Sequence, residues 1–139
     1  MQRTLAIIKP DGVRQKQIGE VVKRLEDAGF RIIGMRMVHL NAEEAGAFYA
    51  VHKERPFYQS LIRFMSSGPC IPLVLETENA IDRLRTLMGA TDPAKAAPGT
   101  IRRDWGKDVE KNAVHGSDAP QTAQWEIVFF FKPDEIHSR

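Results

Sequence analysis

A single cysteine, Cys70, is all the chain has, so no disulfide can form within it, and a lone thiol fits a reducing compartment. No apolar stretch approaches the roughly 20 residues needed to cross a bilayer. The first apolar run, "TLAII", is cut short by Lys9 and Asp11, which is not the pattern of a signal peptide. A cytoplasmic protein with no membrane attachment is therefore expected. Charge of one sign is also scarce. The 20 Lys and Arg against 18 Asp and Glu leave a formal net charge of +2, and the basic residues are spread out. Such a balance gives no reason to expect nucleic acid as a partner. The glycine-rich phosphate loop G-x-x-x-x-G-K-[ST] is missing, and so is G-x-G-x-x-G. The four histidines show neither H-x-x-x-H spacing nor a cysteine partner, so a metal site built from protein ligands is not expected. There is no internal repeat and no low-complexity tract.

What remains is ordinary globular composition, 42% hydrophobic and 27% charged over 139 residues. That length suits one domain, 1–139, with a real core. "TLAII" (4–8), ended by the turn signal "KPDG", reads as a buried strand. Ile18, Val21, Val22 and Leu25 repeat as one helix face, stopped by Gly29. "FRIIGMRMVHL" (30–40) reads as a second strand. Asn41 and Glu44 have the spacing of a capping box and open a helix with the stripe Ala45, Phe48, Tyr49 and His52, which Pro56 breaks. Tyr58, Leu61, Ile62 and Met65 mark a further helix, closed by Gly68. "IPLVLE" (71–76) is a third strand with Pro72 near its start. Asn79 is expected to cap a helix carrying Ile81, Leu84, Leu87 and Met88. Residues 90–117 have no clear period, and irregular segments of that length are usually functional or disordered. Asp118 and Pro120 suit the start of a short helix, and "EIVFFF" (126–131) reads as a last strand. The order β-α-β-α-α-β-α-β predicts an α/β sandwich, with helices covering a sheet of about four strands.

The irregular segment gathers polar candidates: Thr91, Arg102, Asn112, His115 and Ser117. Arg85 approaches it from the preceding helix, and Arg55 ends an earlier one. Arginine presents a planar fork of donors suited to phosphate oxygens, although a lone arginine is usually a solvated surface residue. In "NAVHGSD" (112–118), the histidine invites the same comparison. Imidazole, with an ordinary pKa of about 6.5, is mostly neutral and nucleophilic at pH 7. A phosphorus–nitrogen bond formed on it would remain reactive enough to be passed on. Such a nucleophile needs a group to orient its ring, and Ser117 and Glu126 are the available partners. Glu126 stands just ahead of an apolar run, an expensive place for an unpaired carboxylate. Yet a histidine beside a turn glycine is often structural, and spacing alone leaves both readings open. A hydrolase triad of Ser117, His115 and Asp118 fits poorly, because neighbours in sequence seldom converge that way.

Four segments together carry a resemblance. "TLAIIKPDGV", "YAVHKERPFYQSLIRFMSSGP", "NAIDRLRTLMGATDPAKAAPGTIR" and "NAVHGSDAPQTAQWEI" cover nearly the whole chain in order. They resemble the nucleoside diphosphate kinase family, whose "HGSD" preceded by an asparagine is highly specific. The resemblance implies a ferredoxin-like βαββαβ core with a four-stranded antiparallel sheet, the long loop forming one wall of a nucleotide site. It implies a ping-pong reaction in which a nucleoside triphosphate phosphorylates His115 and a nucleoside diphosphate then takes the group. Lys9 would contact ribose hydroxyls and phosphates, and Asn112 the same sugar edge. Phe57 and Val109 would stack on either side of the base. Arg55, Arg85, Thr91 and Arg102 would hold the phosphates, with His52 next to them. Tyr49 would lie near His115, while Ser117 and Glu126 would orient its ring. Broad base and sugar specificity follows, because every base has a π-face.

Magnesium is implied as the cofactor, held largely by phosphates and water. A homo-oligomer built from dimers, tetrameric or hexameric, is implied as well. Asp92 stands where asparagine is frequent and Thr77 where glycine is frequent. Arg103, Glu110 and Lys111 fall where relatives vary. The competing expectation is a ferredoxin-like nucleic-acid-binding or regulatory protein without kinase activity. A sheet-face RNA binder would want exposed aromatic and basic residues on its strands, whereas Phe129, Phe130 and Phe131 look buried.

Overall fold

Alternation along one strand sets the architecture. A computed structural model describes all 139 residues. In β1 (Gln2–Ile8), Leu5 and Ile7 enter one apolar layer while Ala6 and Ile8 enter another. A strand buried on both faces reads as a continuous apolar run, which is what "LAII" is. β1 pairs antiparallel with β3 (Ile71–Thr77) on one side and β4 (Val114–Gly116) on the other, and β2 (Arg31–Met35) pairs with β3. The sheet order is β2-β3-β1-β4, that of the ferredoxin-like βαββαβ fold. Removing a fully buried side chain such as Leu5 or Leu73 would cost about 2–5 kcal/mol.

Helices cover both faces. α3 (Ala42–Phe48), α4 (Tyr58–Met65) and α7 (Pro120–Phe130) supply the layer around Leu5, Ile7 and Val74. α2 (Ile18–Asp27), α5 (Ala80–Met88) and α6 (Ile101–Trp105) supply the layer around Ile8, Leu73 and Leu75. No open sheet face remains for the RNA-binding alternative. Asn41 caps α3 through a complete capping box with Glu44, as its spacing predicts. α5 presses closely on β4: a Cβ on Gly116 would sit 2.8 Å from Met88 Cε and 2.9 Å from Leu84 Cδ2.

Several expectations change. "EIVFFF" is not a strand; it is the C-terminal part of α7, which continues from Pro120. A short apolar run does not distinguish a strand from a buried helix by period. Its apolar residues do not all face inward: Ile127 and Phe130 pack in the core, whereas Trp125 and Val128 are exposed. The fourth strand is instead the three-residue β4, inside the segment expected to be irregular. That segment also holds the 3-10 turn Pro93–Lys95 and α6. The strand expected over 30–40 ends at Met35, after a register shift between Ile32 and Gly34, and only a bridge from Val38 to Cys70 continues it. "KPDG" opens a short helix, α1 (Pro10–Arg14), with proline in its first turn. The helix expected to run on to His52 stops at Phe48 and tightens into a 3-10 turn, Ala50–His52. Asn79 has a left-handed backbone and makes no side-chain cap; Gln2 Oε1 accepts from Ile81 N instead, at 2.9 Å. Asp92 caps the Pro93–Lys95 turn by accepting from Ala94 N, and Thr77 Oγ1 accepts from Arg83.

Candidate active site

The pleat brings the reactive groups to one face. His115 lies opposite Ile7 in the β1–β4 register, and Lys9 follows Ile7 by two residues. Both side chains therefore point where Ile7 points, toward α3, α4 and α7. The His115 ring sits among aromatic neighbours, 5.5 Å from Phe48 and 6.2 Å from Tyr49 between ring centroids. Its Nε2 lies 2.9 Å from Glu126 Oε1, and that same oxygen accepts from Ser117 Oγ at 2.7 Å. A carboxylate only accepts, so Nε2 carries the proton. The other ring nitrogen, Nδ1, makes no hydrogen bond within the chain and keeps its lone pair. Ser117 and Glu126 are buried, whereas the His115 side chain is 20% exposed. The arrangement is a fixed imidazole with one nitrogen tied and one open, which is chemically a nucleophile. Burial, with the Glu126 charge adding to it, pushes the Tyr49 hydroxyl far above the ordinary tyrosine range, so it can only act un-ionised.

Lys9 and Asn112 form a second unit. Lys9 Nζ donates to Asn112 Oδ1 at 2.8 Å and to Glu110 O at 2.7 Å, and lies 5.5 Å from the centre of the Phe64 ring. Burial lowers its pKa from 10.5 to about 8, against the opposing charge of Asp11. Asn112 spends its own donors on Thr91 O and Val109 O. Arg102 donates to Gly89 O and Val114 O. It lines a cavity of about 430 Å³ with Arg85, Thr91 and Thr100. Burial and then the charge of Arg85 lower the Arg102 pKa to about 10, so two cations are held near each other with no anion between them. A hollow with that lining suits phosphate oxygens. A second hollow, about 530 Å³ along α7, contains none of these residues.

Arg55 and Phe57 stand exposed on the segment between α3 and α4, and Val109 is exposed on the loop before Asn112. A path of rings joins them to the centre: Phe57 is 5.4 Å from His52, and His52 is 6.5 Å from Tyr49. Two contributors escape sequence reasoning. Asp11, read only as part of a turn, is buried, and its Oδ2 accepts from Ala113 N at 2.9 Å. Ala113 needs that anchor because its φ of 73° is left-handed without glycine's freedom. Phe64, to which the sequence assigns no role, underlies Lys9. Only an acid beside a strand end could have signalled Asp11, and nothing distinguished Phe64.

The profile of nucleoside diphosphate kinases matches residues 2–136. The chain belongs to the nucleoside diphosphate kinase family. It is 59% identical to the nucleoside diphosphate kinase of Desulfosudis oleivorans over the full length of both chains. It is 58% identical to that of Desulfatibacillum aliphaticivorans, over 98% of this chain and 99% of that one. Among solved structures, the Aquifex aeolicus nucleoside diphosphate kinase superposes with a TM-score of 0.95 at 47% identity, covering 97% of this chain and 98% of that one. The Halobacterium salinarum nucleoside diphosphate kinase, solved in complex with CDP, gives 0.96 at 41% identity, covering 99% and 92%. No helix of this family member is long and apolar enough to cross a membrane.

Proposed function

We propose that this nucleoside diphosphate kinase, acting as one domain over 1–139, carries the phosphoryl group on His115 Nδ1. The observation that supports this most is the pairing of Nε2 with Glu126, which leaves the opposite nitrogen open. The Nδ1 lone pair attacks the terminal phosphorus of a nucleoside triphosphate. A phosphorus–nitrogen bond forms, the bond from that phosphorus to the bridging oxygen breaks, and a nucleoside diphosphate leaves with the electron pair. A second nucleoside diphosphate then reverses the sequence. Glu126 balances the positive charge that grows on the ring, and Ser117 holds that carboxylate in place. Tyr49 packs edge-on against the ring and sets the tilt of the nucleophile.

Phosphoryl transfer asks chiefly for positioning and charge stabilisation. Arg85, Arg102 and Thr91 line the phosphate hollow, with Arg55 closing from the opposite side. Lys9 and Asn112 meet the sugar and the phosphates. Phe57 and Val109 stack on the base. A divalent cation, magnesium, neutralises phosphate charge when bound. The chain has no group of three or more His, Cys, Asp or Glu side chains that could cage such an ion, so phosphates and water would hold it, and the phosphates in turn rest on the arginines. The CDP carried by the Halobacterium salinarum relative supports a nucleoside diphosphate as acceptor. A cytoplasmic homo-oligomer built from dimers completes the reading, and a sizing column with light scattering tests its stoichiometry.

The deciding experiment uses a nucleoside triphosphate labelled in its terminal phosphate. The protein should take up label that acid removes and alkali spares, lose it to a different nucleoside diphosphate, and take up none as His115→Ala. A wild-type protein that stays unlabelled would defeat the reading.

A further inference from the structure

One hydrogen bond joins α4 to the loop before Asn112, between residues to which the proposed mechanism assigns nothing. Ser60 Oγ donates to Glu110 Oε2 at 2.8 Å. Ser60 lies in the first turn of α4, three residues after Phe57, and Glu110 follows Val109 directly. Phe57 and Val109 are apolar yet 46% and 60% exposed, so the core holds neither of them. The loop bearing Val109 is well tied on its inner side. Glu110 O accepts from Lys9, Asp108 Oδ1 accepts from the Glu110 and Lys111 amides, and Val109 O accepts from Asn112. Toward α3 and α4 the same loop has no hydrogen bond except the one from Ser60. That bond is the one hydrogen-bonded tie between the loop of Val109 and the helix that follows Phe57.

We propose that Ser60 and Glu110 form a latch that holds the faces of Phe57 and Val109 at the separation a nucleobase fills, and so sets affinity for the base. The latch rests on the reading of those two residues as the stacking pair. Both latch residues are positioning residues, acting through Phe57 and Val109 without touching the reacting atoms. With the latch closed, the slot exists before the nucleotide arrives. Without it, the loop rim must be ordered on binding, a cost borne by the substrate complex and the transition state alike. Such a loss raises KM and leaves kcat nearly unchanged.

The test compares Ser60→Ala, Glu110→Ala, their double variant and Glu110→Gln. Each is assayed for kcat and KM with a purine and a pyrimidine nucleoside diphosphate. Inhibition by inorganic tripolyphosphate, which has phosphates but no base, is measured alongside. Ser60→Ala should raise KM about 3- to 10-fold, the size of one net hydrogen bond, with kcat within about twofold and tripolyphosphate inhibition unchanged. The double variant should be no worse than the poorer single one, because both break the same bond. Glu110→Gln keeps an acceptor and loses the charge, and should stay near wild type. An unchanged KM in Ser60→Ala, an equal loss for tripolyphosphate, or additive losses in the double variant would each overturn the latch. Failure of His115 to take label would instead overturn the catalytic reading, and equilibrium binding of the nucleotides would still decide the latch.

Discussion

The two walls of the proposed site are built on opposite principles. On the sheet side, Lys9, Arg102, Asn112, Ser117 and Glu126 are each at most 9% exposed, and each is held by hydrogen bonds within the chain. On the side formed between α3 and α4, His52, Arg55 and Phe57 make no side-chain hydrogen bond, and Val51 and Phe57 face solvent. Groups proposed to meet developing charge are pre-set, which spares their reorganisation during the reaction. Groups proposed to meet the base make no side-chain hydrogen bonds of their own, so their spacing rests on the single Ser60–Glu110 bond. A wall tied by many buried bonds thus faces a wall tied by few.

Substitutions can break this contrast or sharpen it. The largest effect is expected for His115→Ala, which should remove at least ~10³-fold of kcat and all acid-labile label, because no other nucleophile shares its position. Glu126→Gln should lower kcat by roughly 10²-fold with little change in KM, since an amide holds the ring but balances its charge poorly; steady-state kinetics checks both parameters. Asn112→Ala should reduce activity and also cost about 1–3 kcal/mol of stability in urea unfolding, because it strips a buried partner from Lys9. Phe57→Ala on the open wall should cost about 1–3 kcal/mol of nucleotide binding, read as KM, with unfolding unchanged within about 0.5 kcal/mol. Equal stability losses in these last two variants would erase the distinction between the walls.

The smallest and most specific effect concerns pH. Burial lowers the Lys9 pKa to about 8, so the free enzyme should lose the ammonium, and with it kcat/KM, as pH rises through about 8. The kcat limb should lie higher, because bound phosphates favour the charged form. Lys9→Arg should remove the limb near 8 from kcat/KM. The stability sign is opposite. The unfolded lysine holds its proton up to about 10.5, so between about 8 and 10.5 the unfolded chain binds more protons and the contribution of Lys9 to stability rises with pH. Urea midpoints of wild type and Lys9→Met across that window should diverge in that direction.

Much of the fold could be read directly. β1 and β3 are apolar runs of strand length, α2 has a single clean stripe, and the Asn41–Glu44 box marks its helix start. The family motifs named nearly every polar group of the sheet-side wall. "EIVFFF" misled because the exposed Val128 interrupts the buried face of the helix without interrupting the apolar run, so helix and buried strand read alike. β4 went unseen because three residues carry no period, and their partner, β1, lies more than a hundred residues away. Asp11 and Ser60 were silent for the same reason, since their partners, Ala113 and Glu110, are distant along the chain.

By itself the sequence determined which chemistry is present: a histidine without metal-site spacing, the arginines, and a carboxylate too costly to bury alone. The tertiary structure decided how those groups act. Local composition cannot state which ring nitrogen of His115 meets Glu126, or which face of the sheet carries both Lys9 and His115. Those outcomes depend on strand register and on helix packing, where each residue's surroundings come from distant parts of the chain.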